Sequence, residues 1–149
     1  MRYLILQFIF FLAFDSFSQN LIPVTWHYAF VKTGKGEGEL IFKAKIQNNW
    51  HIYSQHQSGD GPIPTSFNFV PGSNYKLVSS VSEPDPEKSY SEAFETEVLM
   101  FSREVEFKQK ISFESNSTFT VNGELEFMSC NDVSCLPPRI EKFSFSITP

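Results

Sequence analysis

Two cysteines, Cys130 and Cys135, are the whole thiol complement of this 149-residue chain, and they stand close together in "FMSCNDVSCLPP" (127–138). Three chemistries fit such a pair. A disulfide staple is geometrically feasible if Cys130 ends one strand and Cys135 approaches the next, because antiparallel neighbours hold their Cα atoms about 4.5 to 5.5 Å apart. Its contribution would be small, since a closed loop of six residues removes only about 2 kcal/mol of unfolded-chain entropy, against about 4.7 for a hundred-residue loop. A metal clip needs more ligands, and the candidates are His27, His51, His56, Met100 and Met128. His51 and His56 are a weak match to paired zinc spacing. A soft copper(I) site from two thiolates and Met128 is chemically feasible, with period 2 sending Met128 and Phe127 to opposite faces. In the third chemistry one thiolate attacks a partner's disulfide and the second thiol resolves the mixed intermediate. Asp132, between the cysteines, would oppose thiolate formation. Spacing alone leaves all three open.

The elements that must position the pair read as strands. "VTWHYAFV" (24–31) and "ELIFKAKI" (39–46) flank the Gly-rich connection "KTGKGEG", a hairpin pattern. Leu40, Phe42, Ala44 and Ile46 share one face of the second, with Lys43 and Lys45 on the other, as in a half-buried antiparallel strand. A short strand at 50–54 leads into a Gly/Pro loop, and 65–70, 75–81, 98–101 and 103–111 follow as further strands. Phe119, Val121, Leu125 and Phe127 keep one phase through Gly123, which predicts one long strand despite the Asn122-Gly123 turn signal. Phe143, Phe145 and Ile147 make the closing strand. Seven to nine strands with no helical periodicity predict an all-β fold, a two-layer antiparallel β-sandwich in a single domain.

Composition supports one core: 41% of residues are hydrophobic and 17 are Phe, enough for a domain of this size. The formal net charge of −5 leaves no basic stripe, which argues against nucleic acid and anionic membrane surfaces as partners. The segment 82–97 alone carries six acidic residues against Lys88, a net −5 equal to that of the chain, and reads as a long loop. Residues 1–18 read as a secretory signal, with an apolar run from Tyr3 to Phe14 too short to span a bilayer. This predicts an exported domain over 19–149, free of stable membrane insertion, in a compartment where disulfides form.

The strand ending in Cys, the Asn/Asp tip, and the second Cys followed by Leu136-Pro137-Pro138 resemble the N-terminal periplasmic domain of the DsbD thiol:disulfide interchange proteins, and "NNWHIYSQ" (48–55) resembles that domain's aromatic segment. The resemblance implies an immunoglobulin-like sandwich whose redox-active disulfide is its only cofactor. It implies electrons arriving from a membrane transporter through a thioredoxin-like domain and leaving to periplasmic disulfide isomerases and cytochrome c maturation oxidoreductases. Cys135 would be the attacking thiol and Cys130 the resolving one. Phe94, in "SEAFETE", would cap the sulfurs, with Tyr53 and Glu92 beside them. Two departures stand out: the best-known members have five residues between the cysteines where this chain has four, and neither transporter nor thioredoxin-like domain follows Pro149. The expectation is a free-standing periplasmic relay, a protein-disulfide reductase component whose transporter is another polypeptide. The alternatives are a β-sandwich binding module with a structural disulfide, and a copper-handling domain.

Overall fold

The alternation of apolar and polar side chains builds eleven strands in the computed structural model, which describes residues 21–57, 59, 61–114 and 116–149; the expected signal at 1–18 lies outside the described residues. In chain order these are β1 (Val24–Gly34), β2 (Glu37–Ile46), β3 (His51–Tyr53), β4 (Ser66–Phe69), β5 (Lys76–Ser82), β6 (Glu87–Ser91), β7 (Thr96–Ser102), β8 (Glu104–Ser112), β9 (Phe119–Phe127), β10 (Ser129–Cys130) and β11 (Arg139–Ile147). All pairings between these strands are antiparallel.

One sheet has the order β1-β2-β8-β5. Facing it are two smaller groups, β11-β9-β4 and β10-β3-β7-β6, joined in sequence where β9 runs through Met128 into β10. The expected sandwich is therefore present, with one of its layers divided. Between the layers lies an aromatic core. Phe42 packs against Tyr28, Phe67, Phe69, Phe143 and Phe145, and Trp26 against Phe67, Phe107 and Phe127. Most of these contacts are edge-to-face, and such pairs add about 0.5 to 1.5 kcal/mol each beyond burial.

β9 is a single strand, with Phe119, Val121, Leu125 and Phe127 buried in one phase. Gly123 does not turn the chain. A Cβ there would lie 2.3 Å from the Asn68 carbonyl oxygen on β4 and 2.3 Å from the Phe143 ring on β11, so glycine is what lets β4 and β11 flank β9 this closely. On β8, Gln109 shares the buried face with Val105, Phe107 and Ile111. Its Nε2 donates to the carbonyls of Val78, Ser79 and Lys110, where β5 slips register between Val78 and Ser82.

The acidic segment 82–97 departs from expectation. It is mostly a hairpin, in which β6 pairs with β7 from Glu87↔Met100 to Ser91↔Thr96 and only residues 92–95 form the turn. The strand is held by its ladder to β7. No residue of β6 is fully buried, which is why it lacks the apolar alternation that marks other strands.

Two corners carry the chain between the main sheet and the one bearing the cysteines. β2 reaches β3 through Asn49 (φ 67°), and β7 reaches β8 through Arg103 (φ 66°). The corners are tied together, since Ile46 N–H donates to the Arg103 carbonyl at 2.7 Å.

Candidate functional site

Register puts one set of side chains on the outer face of the β10-β3-β7-β6 sheet. Cys130 pairs with His51, which pairs with Ser102; one row away, Tyr53 pairs with Met100. Paired residues share a face, as do residues two apart on one strand, so Cys130, His51, Tyr53, Met100 and Val98 all point outward together. Ile52 and Phe101 point the other way into the main core. The outer set forms a second, smaller cluster in which Tyr53, Val98 and Cys130 are buried and Phe94, Met100, Met128 and Cys135 pack against them. Phe127 and Met128 fall in different clusters, as period 2 requires.

Cys130 and Cys135 are joined by a disulfide, with Cα atoms 4.0 Å apart in a local antiparallel bridge. Asn131 organises the tip between them. Its Oδ1 accepts from the N–H groups of Val133 (2.9 Å) and Ser134 (2.8 Å), while its own N–H donates to the Ser134 carbonyl at 2.9 Å. Below the sulfurs, Leu136 N–H donates to the Ser129 carbonyl at 2.9 Å. Cys130 is 2% exposed, whereas Cys135 is half-buried. The bond is thus presented to solvent through Cys135.

A cleft of about 260 Å³ opens over the pair. Its walls are the tip (Asn131, Asp132), β3 (His51, Tyr53) and the β6–β7 hairpin, including Tyr90 and Glu92. Phe94, in the hairpin turn, sets its ring edge-on to Tyr53, with centroids 6.2 Å apart and planes at 89°. Tyr53 is 1% exposed, and burial pushes its phenol up to about 12, so it stays neutral. The Tyr53 hydroxyl is 3.1 Å from His51 Nε2. Burial lowers the pKa of His51, opposed by the nearby Asp132 carboxylate; the ring is neutral at pH 7.

The model of the family described as "Thiol:disulfide interchange protein DsbD, N-terminal" matches residues 18–147. The chain belongs to this family. No curated protein matches it. Among solved structures, the N-terminal periplasmic domain of ScsB from Proteus mirabilis aligns with a TM-score of 0.61 at 17% identity, over 87% of this chain and 47% of that one. The reduced form of the DsbD N-terminal domain from Neisseria meningitidis gives 0.57 at 14% identity, over 83% and 86%. A complex between the DsbD and PilB N-terminal domains of the same organism gives 0.52 at 13% identity, over 88% and 94%. At these identities the likeness establishes the immunoglobulin-like sandwich.

The site residues that the DsbD resemblance picked out meet at this cleft, together with Asp132, which its place between the cysteines had singled out. Cys130, Cys135, Tyr53, Glu92 and Asp132 line it, and Phe94 packs against its floor. Glu92 and Asp132 are exposed at the rim. The metal candidates scatter: His27 is exposed on β1 and His56 lies in the loop after β3, while Met100 and Met128 stand by the cysteines. Among the described residues no group of three or more His, Cys, Asp or Glu is placed to hold a metal ion. Sequence reasoning weighed His51 only as a metal ligand. Its spacing of two from Tyr53 puts both on one face, but its pairing with Cys130 depends on the β10–β3 register.

Proposed function

We propose that this DsbD N-terminal-type domain is a periplasmic thiol-disulfide exchange protein that relays reducing equivalents through reversible Cys130–Cys135 oxidation. The carrying observation is the placement of the bond. The chain's two cysteines close a tip that hydrogen bonds already hold, so a six-residue crosslink adds little stability, and they do so at the mouth of a cleft where Cys135 is the more accessible sulfur. In the mechanism Cys135 thiolate attacks a partner disulfide and Cys130 then displaces the partner from the mixed disulfide. Phe94 gates access from the hairpin turn. Tyr53, Glu92 and Asp132 set the polarity around the sulfurs, the two carboxylates disfavouring a resting thiolate.

The partners we infer are thioredoxin-fold oxidoreductases, with a membrane electron transporter as the ultimate donor. Support comes from the similar Neisseria meningitidis DsbD N-terminal domain, seen both in reduced form and in complex with a PilB N-terminal domain. Export to the periplasm follows from the signal-like residues 1–18 and agrees with the periplasmic ScsB relative.

Two measurements test this reading. Cys130→Ser should accumulate a mixed disulfide with a thioredoxin-fold partner, and Cys135→Ser should capture none; a Cys130→Ser protein that never forms the adduct refutes the assigned roles. Equilibration with glutathione and thioredoxin should give a reduction potential of about −180 to −270 mV, in the range of exchange proteins. A value below about −300 mV would mark a structural bond and favour a binding module.

A further inference from the structure

Cys130 sits in the middle of a row. Cys135 is its antiparallel partner on one side, with Cα atoms 4.0 Å apart, and His51 on the other; antiparallel partners carry their side chains on the same face. Resolution of a mixed disulfide requires the Cys130 thiol to lose its proton, because the thiolate is the nucleophile. At 2% exposure that sulfur has little water to accept it. His51 is half-buried in the same cleft, with Nε2 in hydrogen-bond contact with the Tyr53 hydroxyl.

We propose that His51 takes the proton from the Cys130 thiol in the resolving step and returns it in the reverse reaction, an inference that rests on the exchange reading above. In the tautomer in which Nε2–H donates to the Tyr53 oxygen, Nδ1 is left as the accepting nitrogen. The groups facing His51 are Tyr53 on its own strand, Cys130 and Asp132 on the tip, the uncharged Ser102 on β7, and Glu92 across the cleft. Burial outweighs Asp132 in setting the ring neutral, and a neutral phenol beside it cannot compete for the proton.

The exchange balances without an outside reagent. Cys135 thiolate attacks the partner disulfide, and the first partner sulfur leaves as a thiolate. The Cys130 S–H bond then breaks toward His51 as its sulfur bonds to that of Cys135. The Cys135–partner bond breaks, and its electron pair departs on the second partner sulfur. His51 releases its proton to solvent through the cleft, and the partner thiolates protonate from solvent. Two electrons have passed from the dithiol to the partner.

The test uses reduced wild-type, His51→Gln and His51→Phe proteins mixed with oxidised glutathione from pH 5 to 9, quenched in acid and read by mass after alkylation. Formation of the Cys135–glutathione adduct and its resolution are timed separately. Positioned acid–base groups contribute about 10² to 10⁴ in rate. Both variants should therefore form the adduct within about twofold of wild type but resolve it at least about tenfold more slowly at pH 7. Because burial lowers the His51 pKa, wild-type resolution should level off at a pH below the ordinary histidine range, while the variants keep rising toward the thiol pKa. Matching resolution rates and pH profiles in all three proteins would overturn the inference alone, as would equal slowing of both steps, which marks a structural role. A reduced wild-type protein that oxidised glutathione converts neither to the adduct nor to the Cys130–Cys135 disulfide would overturn the exchange reading and the inference with it.

Discussion

Removing the Phe94 ring gives a quantitative test of gating. The side chain is half-buried and packs on the cluster that holds Cys130 and Cys135. Full burial of a Phe is worth about 1.5 to 3 kcal/mol, so a half-buried one contributes about 1 to 1.5. Its edge-on contact with Tyr53 adds about 0.5 to 1 kcal/mol. If attack on the sulfurs requires the turn to lift, closure is favoured by about 2 kcal/mol, or about thirtyfold. Phe94→Ala should then speed reduction of the disulfide by up to about thirtyfold at fixed pH. A phosphine reductant, with thiol alkylation and mass readout, separates access from thiol ionisation. Rates within twofold of wild type would refute the gate and leave Phe94 as an ordinary turn anchor.

Two further outcomes follow from packing and titration. Gly123→Ala must push a methyl into the Asn68 carbonyl and the Phe143 ring, and urea unfolding should show a loss of about 1 to 3 kcal/mol, typical of overpacking. Tyr28 and Tyr53 have phenol pKa values raised by burial to about 12, so the unfolded chain gives up these protons first. The associated stability should be intact below pH 10 and fall as pH rises from 10 toward 12, measurable by denaturant titrations across that range; Tyr53→Phe should shallow the fall.

What the sequence makes legible depends on whether a strand's neighbours are apolar. β2 and β9 declare themselves because every second residue enters the core, even across Asn122-Gly123. β6 does not, since Ser89 and Ser91 face a half-open cleft and the strand exists through its ladder to β7. The division of one layer escaped pattern reading too, because Asn49 and Arg103 leave no periodic trace when they turn the chain between sheets. At the site the cysteines were plain, and family resemblance led to Phe94, Tyr53 and Glu92. His51 needed the β10–β3 register, which a linear reading does not supply.

The hydrogen bonds of the tip have one more consequence. Asn131 caps the turn through its side chain, and Leu136 is tied to Ser129 beneath the sulfurs; none of these contacts needs the S–S bond. When that bond opens, the two thiols remain each other's nearest reactive neighbours at a high effective concentration. On the exchange reading proposed above, a partner captured by Cys135 would compete with an intramolecular nucleophile from the moment it is bound. Its residence on the domain would then be set by how fast Cys130 ionises, with no second external thiol needed to set it free.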